Sequence, residues 1–70
     1  MTAQEMFEKA GYTKVSENKN GVLYEDCLSQ VAFFKKDKTY GVFTRFTKFK
    51  ASTDLHNAIH WQLKELGWIE

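Results

Sequence analysis

Residues 12–46 read YTKVSENKNGVLYEDCLSQVAFFKKDKTYGVFTRF, and this stretch decides the fold. Asn20-Gly21 stands between two runs that suit strands, and that dipeptide is the strongest short hairpin signal a sequence carries. A two-residue turn there sets Lys19 opposite Val22, Glu17 opposite Tyr24 and Val15 opposite Asp26. Side chains alternate across a strand. Val15, Val22 and Tyr24 then form the core face, and Lys14, Ser16, Leu23 and Glu25 the other. Leu28-Ser29-Gln30 reads as a second turn and residues 31–34 as a third strand. Residues 35–39 form a polar connection, and 40–46 a fourth strand. With a loop of two or four residues, Val31, Phe33, Tyr40, Val42 and Phe46 share one face. Ala32, Phe34, Gly41, Phe43 and Arg45 share the other; a three-residue loop would invert one strand.

Helical signals flank the strands. Thr2-Ala3-Gln4-Glu5 matches the capping box, a hydroxyl followed three residues later by a carboxylate. Ala3, Met6, Phe7 and Ala10 recur at helical spacing, and Gly11 suits the left-handed residue that closes a helix. The pattern predicts a helix over 3–10, with Tyr12 folding back on Phe7. Ser52, Thr53 and Asp54 are all good caps for a second helix. Its stripe is Leu55, Ile59, Leu63 and Leu66, joined by Ala58 or Gln62. Gly67 ends it, with Trp68 placed to pack on Leu63.

The expected fold is therefore α+β: an N-terminal helix, a four-stranded antiparallel meander and a C-terminal helix. Each helix has one apolar stripe, so both are expected on one sheet face, leaving the opposite face uncovered. The expected core is Val15, Tyr24, Val31, Phe33, Val42, Ile59 and Leu63.

The totals fit a small core. Seventy residues with no linker read as a single domain over 1–70. Hydrophobic residues at 43% and aromatics at 16% are too many for a disordered tail. The lone Cys27 forms no internal disulfide, which removes the secreted disulfide scaffolds. MTAQEMFEKAGY lacks the pattern of a signal peptide, and no window is apolar enough to span a membrane. These features point to a soluble cytoplasmic protein, and so small a core gains from a second copy.

No catalytic pattern emerges. His56 and His60 are spaced four apart, as two zinc ligands on a helix can be, but Asn57 replaces the glutamate of HExxH. Two polar residues on a solvated helix face explain them as well. Cys27 beside Asp26 has no local positive neighbour of the kind a reactive thiolate needs, save Lys14 across the hairpin, and reads as a structural thiol at a turn. The four glycines are scattered and form no phosphate cradle. The reading is a non-enzyme with no cofactor and no metal.

Charge is concentrated in the middle. Residues 31–50 hold Lys35, Lys36, Lys38, Arg45, Lys48 and Lys50 against Asp37 alone. They also hold Phe33, Phe34, Tyr40, Phe43, Phe46 and Phe49, six of the eleven aromatics. Cations for phosphates and rings for bases are what single-strand binders combine. Strand propensity and lysines guarding exposed edges produce the same composition. Ser52-Thr53-Asp54-Leu55-His56 lacks the lysine cluster that double-stranded RNA-binding domains place at the start of their second helix.

MTAQEMFEKAGY, FFKKDKTY and LHNAIHWQLKELGW carry a further likeness. Through them the whole chain resembles a loose group of small proteins encoded by phages and prophages of Firmicutes bacteria. That group has no assigned activity, so the resemblance implies no catalytic residues. It implies a bacterial cytoplasmic setting and an accessory role in binding a host or phage macromolecule.

The expectation is a protein-interaction module that self-associates through the uncovered face. Leu23, Phe34, Lys36, Phe43 and Arg45 are its candidate surface, with Ala32 among them and Lys14 at the rim. Phe34 and Phe43 are expected close enough to touch, with Phe34 shielding Gly41. The alternative is nucleic-acid binding by Lys36, Arg45 and the exposed aromatics.

Overall fold

Thr2 caps the first helix as its sequence dictates. In a computed structural model, which describes residues 1–45 and 48–69, helix α1 spans Ala3–Lys9. The Thr2 hydroxyl accepts the Glu5 N–H at 3.2 Å, and the Glu5 carboxylate accepts the Thr2 N–H at 2.9 Å. Gly11 takes φ 95°, and the Tyr12 N–H reaches back to the Phe7 carbonyl at 2.8 Å. That return brings the Tyr12 and Phe7 rings edge to face, with centroids 6.1 Å apart.

Four strands follow: β1 Thr13–Asn18, β2 Gly21–Glu25, β3 Ser29–Phe34 and β4 Thr39–Thr44. They form one antiparallel sheet in chain order. Helix α2, Thr53–Glu65, completes the α+β fold. Its cap is Ser52, whose hydroxyl accepts the Leu55 N–H at 3.0 Å. Gly67 takes φ 76°, and Trp68 donates to the Leu63 carbonyl at 3.0 Å.

The faces of β3 and β4 are the expected ones, with Val31 opposite Val42 and Phe33 opposite Tyr40, but Phe34, expected across from Gly41, pairs with Thr39. The fourth strand ends at Thr44, and Phe46, expected on the core face, lies outside the described residues. The first hairpin differs. Asn18 pairs with Gly21, Glu17 with Val22 and Ser16 with Leu23, so Lys19-Asn20 is the turn. The Asn18 side chain explains the shift. Its carbonyl oxygen accepts the N–H groups of Asn20 and Gly21 at 2.8 and 3.3 Å, an Asx turn built one residue early. A bulge between Lys14 and Ser16 then pushes Val15 out of the ladder, and it is 49% exposed rather than part of the core. Lys14 moves to the helix side opposite Tyr24, where it pairs with Glu17. The second turn falls at residues 26–28, ahead of the expected Leu28-Ser29-Gln30, because Asp26 nucleates it.

The core joins Phe7 and Tyr12 to Val22, Tyr24, Val31 and Phe33 of the sheet and to Leu55 and Ala58 of α2. Val42, Ile59 and Leu63 are half-buried against it. Both helices therefore pack on one sheet face. Gln62 is buried on α2, where its side-chain oxygen accepts the Tyr24 hydroxyl at 2.6 Å. Burial pushes that hydroxyl well above the ordinary tyrosine pKa, with Glu17, Glu65 and Glu8 adding in the same direction, so it stays a donor. The Glu65 carboxylate accepts the Ala3 N–H at 2.7 Å, fixing the far end of α2 to the start of α1. No helix among the described residues is long and apolar enough to cross a membrane.

Candidate functional site

The uncovered face is set by strand parity. Val22, Tyr24, Val31 and Phe33 point under the helices, so their neighbours point away. One row across that face is Ser16, Leu23, Ala32 and Gly41. A second is Asn18, Gly21, Phe34 and Thr39, and a third begins Thr13, Glu25, Gln30 and Phe43. Leu23 and Ala32 are half-buried by their neighbours, while Phe34 and Phe43 are 42% and 52% exposed.

Two hollows bound this face. One, of about 240 Å³, is lined by Ser16, Asn18, Gly21, Leu23, Ala32 and Phe34. The other, of about 500 Å³, lies at the opposite end against Asp26, Cys27, Ser29, Phe43 and Arg45. Five polar and apolar groups were expected together, and the register distributes them. Phe34 pairs with Thr39 and Phe43 with Gln30, four residues apart along β4. That is about 13 Å of backbone at 3.3 Å per residue, so the two are not the diagonal neighbours expected. Phe34 goes with the Lys36 turn, Phe43 with Arg45, and Leu23 lies between. Gly41 is shielded by Phe43, two residues on along its own strand, rather than by Phe34. A Cβ built on Gly41 would lie 3.0 Å from the Phe43 ring. Lys14 is not at the rim at all, because the bulge sends it to the helix side.

Asp26 builds the second hollow, and sequence reasoning passed over it. Its carboxylate accepts the Leu28 N–H at 2.8 Å, the Ser29 N–H at 2.7 Å and the Ser29 hydroxyl at 3.0 Å. The Ser29 hydroxyl also meets the buried Tyr12 hydroxyl at 2.6 Å, so the turn is tied to the core. An Asp followed three residues later by Ser, ahead of a strand, was the available signal. The hydrogen bond from the Leu28 N–H, with those from Ser29, holds the Asp26 carboxyl below the usual range. A lowered folded pKa means stability present above the unfolded pKa and lost as pH falls through the folded one. In a carbon-detected titration Asp26 should thus protonate below an ordinary aspartate, with the Leu28 and Ser29 amides shifting in step. A midpoint at or above the ordinary value would dissolve the turn's electrostatic account.

Cys27 is exposed and free, and His56 and His60 are exposed on α2. Among the described residues no group of three His, Cys, Asp or Glu side chains is placed to hold a metal ion. Comparison with protein-family models, with curated proteins and with solved structures finds no match to this chain.

Proposed function

We propose that the chain is a non-enzymatic protein-interaction module that self-associates through its uncovered sheet face. The observation behind this reading is the exposure of Phe34 and Phe43 on a face neither helix covers. Exposed apolar groups framed by polar ones mark association surfaces. Leu23 and Ala32 between the two rings extend the patch, and the two hollows give it relief for a partner's side chains. A cytoplasmic setting and an accessory role in a phage or prophage belong to the same proposal, supported by the resemblance of the terminal and hairpin segments.

Light scattering on the purified protein tests it. The wild type should run above the monomer mass, and Phe43→Glu should halve the assembled mass without loss of helical signal. A carboxylate buried in an apolar contact without a partner costs more than the contact supplies. A strictly monomeric wild type would end the proposal. Oligonucleotide binding by that monomer, steeply salt-dependent and weakened by Arg45→Ala, would put nucleic acid in its place. Lys36 and Arg45 lie at opposite ends of β4, which spreads that alternative's cations instead of clustering them.

A further inference from the structure

We infer that the outer edge of β4 is a second contact, independent of the face, along which two copies pair antiparallel with Tyr40 opposite Val42 of the second copy. The hydrogen-bond parity comes first. The Arg45 N–H donates to the Leu28 carbonyl at 3.3 Å, continuing the β3–β4 ladder. Antiparallel ladders alternate, so residues 39, 41 and 43 bond inward to β3. The inward turn of Asn20–Lys35 and Asp26–Ser29 bonds on the other side of β3 gives the same phase. Tyr40 and Val42 therefore direct both N–H and C=O away from the sheet.

The two edges of the sheet are unlike. β1 is broken by the bulge at Val15 and carries the Lys14–Glu17 pair, devices that discourage sheet extension. β4, TYGVFT, has neither charge, nor proline, nor bulge, and is rich in residues that favour strands. Two of its large side chains are also left open. Tyr40, on the helix side, leans on Phe33 at 5.7 Å between centroids yet is 46% exposed. Phe43, on the other side, is more exposed still. An edge left open along both faces accepts another strand.

The sequence of β4 favours a second copy as that strand. With Tyr40 opposite Val42, a two-fold axis passes between the two Gly41 residues, and both outward pairs bond in both directions. The glycines meet at the close, non-bonded position, where absent side chains let the backbones approach. Phe43 falls opposite Thr39, in the row of Phe34 of the second copy. Sliding one copy so that Tyr40 opposes Tyr40 would take the two Gly41 residues out of register with each other. The pairing joins two uncovered faces into one eight-stranded surface.

The test is backbone NMR on the whole chain across a dilution series. Amide exchange at Tyr40 and Val42 should slow by roughly tenfold or more as the protein concentrates. A sample mixing labelled and unlabelled chains should give an intermolecular Hα–Hα contact between Gly41 residues. Tyr40→Pro, which removes an outward donor and no bond to β3, should raise the dissociation constant of the edge contact roughly 10- to 100-fold through the two bonds lost per dimer. Phe43→Glu should retain the slowed amides, because residue 43 bonds inward and its side chain stays at the surface of an edge dimer. An associated wild type whose Tyr40 and Val42 amides exchange as fast as in the monomer would refute the edge contact and leave the face contact standing. A monomeric Phe43→Glu chain at millimolar concentration would refute it as well. A monomeric wild type would overturn both.

Discussion

Phe7→Ala should destabilise the fold by about 3–5 kcal/mol, the range for removing a fully buried phenylalanine. A chain of this length has roughly 4–10 kcal/mol in total, so the variant should be largely unfolded at moderate temperature. Phe7 is fully buried. Its ring stacks on Tyr24 at 3.8 Å and meets Tyr12 and Phe33 edge to face, each at 6.1 Å. Truncation therefore opens a cavity bounded by three rings that cannot all collapse into it. It also uncovers Tyr24, whose hydroxyl carries the bond to Gln62. Phe34→Ala is the matched control: same chemistry, on the uncovered face, expected to stay within about 1 kcal/mol. Urea denaturation of the three proteins decides it. A larger loss for Phe34→Ala than for Phe7→Ala would mean that the sheet faces are reversed.

That contrast also separates what was legible in the sequence from what was not. Phe33 and Phe34 were assigned to opposite faces by alternation alone, and the faces of β3 and β4 followed from it. Both helix starts and both helix ends were legible because they are local chemistry: Thr2 with Glu5, Ser52, Gly11 and Gly67. Phe7 was placed on its helix stripe but left out of the expected core. Nothing within seven helical residues says which ring of the sheet it will stack on, here that of Tyr24 in the second strand. The same boundary runs through the candidate surface. The side on which Leu23, Phe34 and Phe43 lie follows from parity, but their separation does not: alternation leaves the register free to slide by two, and the two rings expected to touch pair with Thr39 and Gln30. Lys14 was lost to the wrong side because a bulge adds one residue without changing any local pattern. The Asp26 turn was missed because a cap of this type competes with strand propensity, and its three bonds appear only once the chain has closed around it.

Gly21→Ala should cost about 3 kcal/mol or more, and the reason differs from the one its neighbour Asn20 suggests. In an Asn-Gly turn the glycine would be kept for positive φ. Gly21 is not among the positive-φ glycines, which are Gly11 and Gly67. It is instead the first residue of β2, opposite Phe34, and a Cβ there would stand 2.1 Å from the Phe33 carbonyl oxygen. No heavy atom can be that close to a backbone oxygen, and the oxygen belongs to a strand held on both sides. Relief requires moving β2 from β3, which disturbs Val22 and Tyr24 in the core, so the cost exceeds that of ordinary overpacking. At roughly 4–8 °C per kcal/mol for a domain of this size, the thermal midpoint should fall by about 12–24 °C. Gly67→Ala is the informative companion. Its φ of 76° is unfavourable for alanine, but a Cβ there meets nothing within 4 Å. It should lose only about 1 kcal/mol, the conformational penalty alone. Equal losses at the two positions would show that Gly21 is retained for its backbone angles after all. The Asn20-Gly21 turn would then be restored, and with it a register that returns Val15 to the core.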